Sequence, residues 1–366
     1  MKIVLITISS TGNTAYAAHS IGSDLSTKYN HEVSHIDGLE LIKQLHLGNR
    51  QNPDLPSSES IEECGALTAA RDLISEADVV GLGAYATMLK PQPGYGDLFS
   101  ETILPQSLFS KARYYFVYFT QGGKGGKMDR ILATTLSKKC TSAQFTGALK
   151  LITPDSTPLW QPEKPFRDPW QETEVAKIHT FSDSLNTIFV GLTTTLPAVP
   201  AALEYNGTKS HASFAKRIKA PVVDRTLCVK CGRCVRECPY NAIAITGDIE
   251  DGFPIFNAQA CWSCARCFHH CPQDALNYGM GKTQLRSRMK KPIVPGLSAD
   301  TDGSYQNAVA PESIPRDVQL TTSKPHPCRT CHRIFVGNRC CEVTLYVVPT
   351  LVVIGLIVMI LLLVLL

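Results

Sequence analysis

Residues 228–245 read CVKCGRCVRECPYNAIAI, and residues 261–278 read CWSCARCFHHCPQDALNY. Each run spaces four cysteines as C-x2-C-x2-C-x3-C and follows the last with proline, and the second copy lies 33 residues after the first. Four thiolates are soft ligands that select zinc, copper(I) or an iron–sulfur cluster. Zinc sites usually pair two C-x2-C knuckles across a longer loop. Three cysteines at successive i, i+3 positions instead wrap the chain around one side of a compact cluster, and the fourth points away from it. Gly232 and Ala265 are small where backbone must approach the cluster, and Pro239 and Pro272 turn the chain after the fourth ligand. The spacing predicts iron–sulfur rather than zinc.

The remainder of the chain is much longer than this repeat. At 366 residues it has room for two domains. A formal net charge of +4, with no long basic stretch interleaved with aromatics, argues against a nucleic-acid partner. Eight of the 14 cysteines fall in the two runs, which favours metal over disulfides and a reducing compartment over a secreted one. The start, MKIVLITISSTGNT, has no basic segment or cleavage site and reads as a buried strand.

From residue 1 to about residue 200, apolar strand-like runs alternate with helical patterns. The strands are expected at KIVLITI, EVSHID, DVVGLGAY, YYFVYFT and GALKLITP. Helices are expected at LELIKQLHLG, ALTAARDLISEA, MDRILATTLSKKC and EVAKIHTFSDSLNTIFVGL. Such alternation predicts an α/β fold, a doubly wound parallel sheet covered by helices on both faces. Five strands suit a flavodoxin-like sheet, whose ligand sits outside the carboxyl ends of the strands. The first strand ends in SSTGNTAYAAHSIG, a Ser/Thr/Gly/Asn loop leading straight into a helix. Backbone N–H groups, hydroxyls and the positive end of the helix dipole make an anion site there. The same residue types also serve as ordinary helix caps.

Two resemblances follow. The cysteine runs resemble bacterial-type 2[4Fe–4S] ferredoxins, a small α+β domain in which the fourth cysteine ligates the other cluster. That resemblance implies one cluster on Cys228, Cys231, Cys234 and Cys271, and a second on Cys261, Cys264, Cys267 and Cys238. The first loop, Ser9, Ser10, Thr11, Gly12, Asn13 and Thr14, resembles the flavodoxin loop that holds the FMN phosphate. Two further loops fall where a flavodoxin grips the flavin ring. One carries Tyr85, Ala86, Thr87 and Met88, the other Thr120, Gln121, Gly122 and Gly123, with Gly125 and Gly126 beyond. The order of the two domains resembles the flavodoxin–ferredoxin fusion proteins over roughly residues 1–280, and implies FMN and two [4Fe–4S] clusters.

This layout assigns residues 1–205 to the flavodoxin-like domain and 206–285 to the ferredoxin domain. Residues 286–327, rich in Pro, Ser, Thr, Asp and Gly, form a flexible linker, and the stretch from residue 290 would reach on the order of 35 Å as a random coil. Residues 328–342 hold Cys328, Cys331, His332, Cys340 and Cys341, which suit zinc, S-palmitoylation or plain thiols. Residues 343–366 carry no charge. As a helix they span roughly 36 Å, enough to cross a hydrocarbon core of about 30 Å. Arg329, Arg333 and Arg339 precede this span, so a single-pass C-terminal anchor is expected with the soluble domains facing the cytoplasm.

The insertion at residues 155–172 lies outside the resemblance, with Trp160, Phe166 and Trp170 expected to pack rather than to cover the flavin. Cys64 and Cys140 are isolated, and no catalytic triad, HExxH or carboxylate pair stands out. The expected function is a membrane-tethered electron-transfer protein linking one-electron and two-electron carriers, with redox donor and acceptor proteins or a small-molecule acceptor as partners. Two alternatives stand beside it: a flavin-dependent reductase of a small acceptor such as a nitro compound or quinone, and a membrane scaffold with structural clusters and no flavin.

Overall fold

In the computed structural model the chain divides into two compact units, Met1–Lys324 and Pro325–Leu366. The structure describes residues 1–51, 65–86, 91–92, 94–122, 126–153, 170–193, 195–205, 220–245, 252–273 and 275–277, with side chains only to residue 45 in the first stretch. The linker, the cysteine-rich segment and the apolar run 343–366 therefore lie outside the described residues. So do Cys64, Trp160, Phe166, Thr87, Met88, Gly123 and Gly125. Among the described residues no helix is long and apolar enough to cross a membrane.

Five strands form one parallel sheet: β1 (Lys2–Ile8), β2 (Glu32–Asp37), β3 (Val79–Tyr85), β4 (Tyr114–Gln121) and β5 (Gln144–Ile152). Their order is β2-β1-β3-β4-β5, that of the flavodoxin-like doubly wound fold. Strand side chains alternate between faces, so each strand feeds two cores. Val4, Ile6 and Ile8 of β1 join the core that holds helices α2 (Gly38–Gln51), α3 (Gly65–Ser75) and, beyond a short α4 (Tyr95–Leu98), α5 (Met128–Lys139). Ile3 and Leu5 face the opposite core, with helices α1 (Asn13–Thr27) and α6 (Glu172–Phe189). Deleting a side chain such as Leu82, fully buried in the first core, would cost about 2–5 kcal/mol.

β5 begins three residues before the apolar run that announced it. The register of β4 against β5 shifts between Tyr115 and Phe116, and Gly147 sits at φ 151° with Phe181 2.8 Å from where its Cβ would stand. The bulge breaks the alternation that marks a strand in sequence. Gly83 serves a different need, close approach: the Tyr118 ring fills the space a Cβ would take, and the Tyr118 hydroxyl meets Thr7 Oγ1 at 2.6 Å.

Residues 220–277 form a small module: β6 (Val222–Val223), α7 (Arg233–Glu237), β7 (Ile243–Ile245), β8 (Pro254–Phe256), α8 (Arg266–His269) and β9 (Leu276–Asn277). Strand β6 pairs with β9, and β7 with β8, both antiparallel. Among the described residues its buried apolar core is Ile243, Ala265, Cys267, Phe268 and Leu276. Other parts of the module join the larger domain: Tyr240 and Ala242 belong to the first core of the sheet, and Cys238, Cys261, Trp262 and Cys264 pack against it.

Candidate functional site

The module places the eight cysteines in two cavities. Cys228, Cys231, Cys234 and Cys271 line one of about 390 Å³, counting space open to solvent. Cys238, Cys261, Cys264 and Cys267 line the other, of about 300 Å³. Each cavity thus takes three cysteines from one run and the fourth from the other. Both linings are otherwise mostly apolar, with Ile245, Pro254 and Leu276 in the first and Ile243, Phe256 and Trp262 in the second.

Local backbone explains how such short loops wrap a cavity. In the first loop Lys230 and Gly232 adopt left-handed φ values of 57° and 64°, and in the second Ser263 and Ala265 take 48° and 60°. These turns let successive cysteines face one side. Backbone N–H groups donate to the sulfurs at equivalent places: Ala242 to Cys238 Sγ at 3.3 Å, and Ala275 to Cys271 Sγ at 3.2 Å. Hydrogen bonds of this kind tune a cluster's potential.

The donor set suits a cluster better than a single ion. Among the described residues no three His, Cys, Asp or Glu side chains converge closely enough to share one metal ion. Zinc would need four ligands at about 2.3 Å from one point. A four-iron cluster instead gives each thiolate its own iron around a larger body. Burial pushes the thiols of Cys234 and Cys264 up to about 12, so loading releases protons as metal replaces them.

The anion loop lies at the carboxyl end of β1. Ser9, Ser10, Asn13 and Thr14 are buried. Helix α1 is capped by Gly12 at φ 95°, with no side-chain cap hydrogen bond and no acidic residue in its first turn. Gly12 carries no side chain to cap the helix, and the end of α1 keeps its preference for an anion. Ser10 Oγ is buried without a hydrogen-bond partner, and space is open where a Cβ of Gly12 would stand. Thr14 Oγ1 and Thr120 Oγ1 lie 2.7 Å apart, joining the loop to the end of β4. Trp170 donates from Nε1 to Asn13 Oδ1 at 3.1 Å and packs edge-on against Tyr16. The described end of the insertion therefore braces the loop, as packing would.

The other predicted ring contacts lie at neighbouring strand ends. Ala86 N donates to Thr120 O at 2.9 Å, and Thr120 and Gln121 are buried, while Gly122 is exposed. Tyr85, at the end of β3, lies beside Tyr240 of the module, whose fully enclosed hydroxyl has its ionisation pushed well above the usual phenol range by burial and by Tyr85, Cys264 and Cys238. Sequence reasoning missed Gln92, which is 1% exposed with neither amide atom hydrogen-bonded. It follows β3 by a few residues, in the loop that also carries Tyr85. Cys140 is a buried thiol pushed up to about 12 by burial, a packing residue.

Sequence reasoning also missed a charged junction between module and sheet. Arg266 of α8 donates from Nε and its neighbouring amine to Glu237 Oε2, each at 3.0 Å, and approaches Ser9 O at 3.5 Å. Burial disfavours the Arg266 charge, but Glu237, Asp37 and Glu40 outweigh it. Burial would likewise raise Glu237, yet Arg266, His270 and Lys43 hold it below its ordinary value. Asp37 ends β2 and caps α2, accepting from Leu39 N and Glu40 N at 2.9 and 3.1 Å. The module thus sits at the carboxyl ends of β1, β2 and β3, beside the anion loop.

Residues 227–275 match the family described as the 4Fe-4S dicluster domain. Solved structures similar to the chain include a flavodoxin from the domain Archaea, at 14% identity over 51% of this chain and 98% of that one with TM-score 0.33. An oxidoreductase from Corynebacterium diphtheriae is similar at 15% identity over 52% and 97%, with TM-score 0.35. Rubredoxin oxygen:oxidoreductase from Desulfovibrio gigas is similar at 11% identity over 53% of this chain and 37% of its own, with TM-score 0.34. Likeness at these scores adds nothing to what the strand order already shows. No curated protein matches the chain. The chain thus joins a sheet of flavodoxin-like strand order to a cysteine module. Within it, the module is of the 4Fe–4S kind.

Proposed function

We propose that the chain is a membrane-tethered electron-transfer protein that passes electrons between two [4Fe–4S] clusters and a bound FMN. The observation that carries this reading is the seat of the cysteine module at the carboxyl ends of β1, β2 and β3, where a doubly wound sheet binds its ligand. Cys228, Cys231, Cys234 and Cys271 would hold one cluster, and Cys261, Cys264, Cys267 and Cys238 the other. Ser9, Ser10, Thr11, Gly12, Asn13 and Thr14 would hold the FMN phosphate. Tyr85, Ala86, Thr87, Met88, Thr120, Gln121, Gly122 and Gly123 would border the ring. Clusters supply single electrons and a flavin takes one or two, so the pair links one-electron and two-electron carriers. The chain's own residues position the two kinds of site and exclude water: Trp262, Tyr240 and Ala242 close apolar surface over the junction. Residues 343–366 would anchor this unit to a membrane, with the soluble domains facing the cytoplasm and with redox proteins or a small acceptor as partners.

Anaerobic purification without the last 25 or so residues, followed by flavin, iron and sulfide analysis and a visible spectrum before and after dithionite, tests the reading. Bound FMN with about eight irons per chain, all reducible, is expected. Irons without flavin would reduce the proposal to a tethered ferredoxin, and zinc in place of iron would overturn it. The anchor is tested separately, by carbonate extraction of membranes carrying the full chain.

A further inference from the structure

We infer that the two cluster sites are not equivalent: the site lined by Cys238, Cys261, Cys264 and Cys267 is the inner one that exchanges electrons with the flavin. The site lined by Cys228, Cys231, Cys234 and Cys271 is the outer one, which meets external carriers. The inference rests on the flavin proposed above, and it assigns an order that the paired cysteine runs do not contain.

Three observations carry it. Only the inner lining is shared with the core of the large domain: Cys238, Cys261, Trp262 and Cys264 pack against that core, and Tyr240 belongs to it. Tyr240 also stands beside Tyr85, at the end of β3 where the ring loop begins. Next, Arg266, between inner-site Cys264 and Cys267, approaches the carbonyl of Ser9 in the anion loop. Finally, the corresponding outer residues face solvent. Cys231 is exposed, and Val229, the counterpart of Trp262, is 59% exposed. No residue of helix α7 of the outer loop is fully buried, and only its last, Glu237, turns toward the junction, whereas α8 of the inner loop buries all four.

Trp262 and Tyr240 are therefore positioning residues: they hold the inner loop against the flavin end of the sheet. Their outer counterparts are Val229 and Gln273. With both groups bound, the inner site would pass one electron at a time to the flavin. Two such passages with two protons from water would complete its reduction, and the outer site would restore each electron from an external one-electron donor.

The test uses the full chain with its cofactors, reduced by dithionite without oxygen. Electron paramagnetic resonance follows the two reduced clusters with dysprosium–EDTA in solution, which speeds the relaxation of paramagnets it can approach. One signal should relax strongly and the other weakly, and Cys231→Ser should remove the strongly relaxed one. Should that variant lose all its iron, Val229→Glu makes the assignment by shifting the outer signal alone. Trp262→Val combined with Tyr240→Gln, which gives the inner loop its outer counterparts, should slow flavin reduction by the clusters severalfold at unchanged flavin and iron content. Val229→Thr should leave that rate unchanged. Equal relaxation of both signals, or slowing by the outer variant alone, would overturn the inference. A protein with clusters and no flavin would defeat the proposed function instead, and the dysprosium contrast would still decide the placement.

Discussion

The two cysteine loops share spacing, the proline after the fourth cysteine, and left-handed backbone at the same two positions. They differ in what surrounds them. Around Cys264 the neighbours Ser263, Ala265, Arg266, Phe268 and His269 are all buried. Around Cys231, Val229 is open to water and no residue of the helix that follows is fully buried. Identical ligand spacing therefore dictates how a loop wraps its site but not what the site faces. The facing is decided by which loop carries the larger apolar residues and meets the sheet.

The broadest way to break the contrast is to remove the iron. Among the described residues the module has a buried apolar core of five, too little to hold a fold of this size, whereas the sheet keeps two extensive cores. Chelation under reducing conditions should abolish the module's near-ultraviolet dichroism and hydrogen-exchange protection while β1 to β5 stay protected. Single ligands should then separate the two loops. Cys264→Ser should lose about half the iron and also lower the melting temperature of the larger domain, whereas Cys231→Ser should lose a similar share with that melting unchanged. Iron analysis and calorimetry on the same samples would show either pattern.

Arg266 and Arg233 occupy equivalent positions and sharpen the contrast without touching a ligand. Arg266→Ala leaves the largely buried Glu237 without its guanidinium partner and should cost about 3–5 kcal/mol. The same change at Arg233, which is not itself buried, should cost no more than about 1 kcal/mol in urea titrations.

Acid probes the larger domain through His19 and His35, whose ring centroids lie 4.5 Å apart. Burial lowers His19 from 6.5 to about 4, and burial with the neighbouring ring lowers His35 to about 3. Both are depressed, so the unfolded chain binds more protons below 6.5, and stability present above that pH is lost as pH falls toward 4. His35→Gln should flatten that slope in urea titrations between pH 7 and 5. The smallest effect concerns backbone. Gly232→Ala should destabilise by about 1 kcal/mol and Ala265→Gly should be near neutral, because relief of the left-handed alanine is offset by a freer unfolded chain.

Much of this was legible in the chain. All five strands were placed, and β1, β3 and β4 read as nearly continuous apolar runs, because strands buried on both faces leave little polar residue to blur them. Only β5 starts early, where Gly147 and its bulge disturb the alternation. The crossed ligand sets came from the resemblance to two-cluster ferredoxins, and each cavity is lined by three cysteines of one run and one of the other. What was not legible depends on how separate segments meet. Arg233 and Arg266 look alike in sequence, yet one lies on an unburied helix and the other is buried against Glu237, 29 residues away, and Ser9, 257 residues away. Gln92 is another such case, since nothing in KPQPGY marks an amide that will be enclosed without a partner.

The crossed cavity linings also bear on how such a chain matures. On the proposed ligand assignment, the inner site has its full set once synthesis passes Cys267, while the outer site must wait for Cys271, although three of its cysteines emerge from the ribosome first. Cluster insertion would therefore begin at the site against the already synthesised sheet and finish at the surface. A nascent chain halted between the two runs would expose four thiols with no complete site to receive iron.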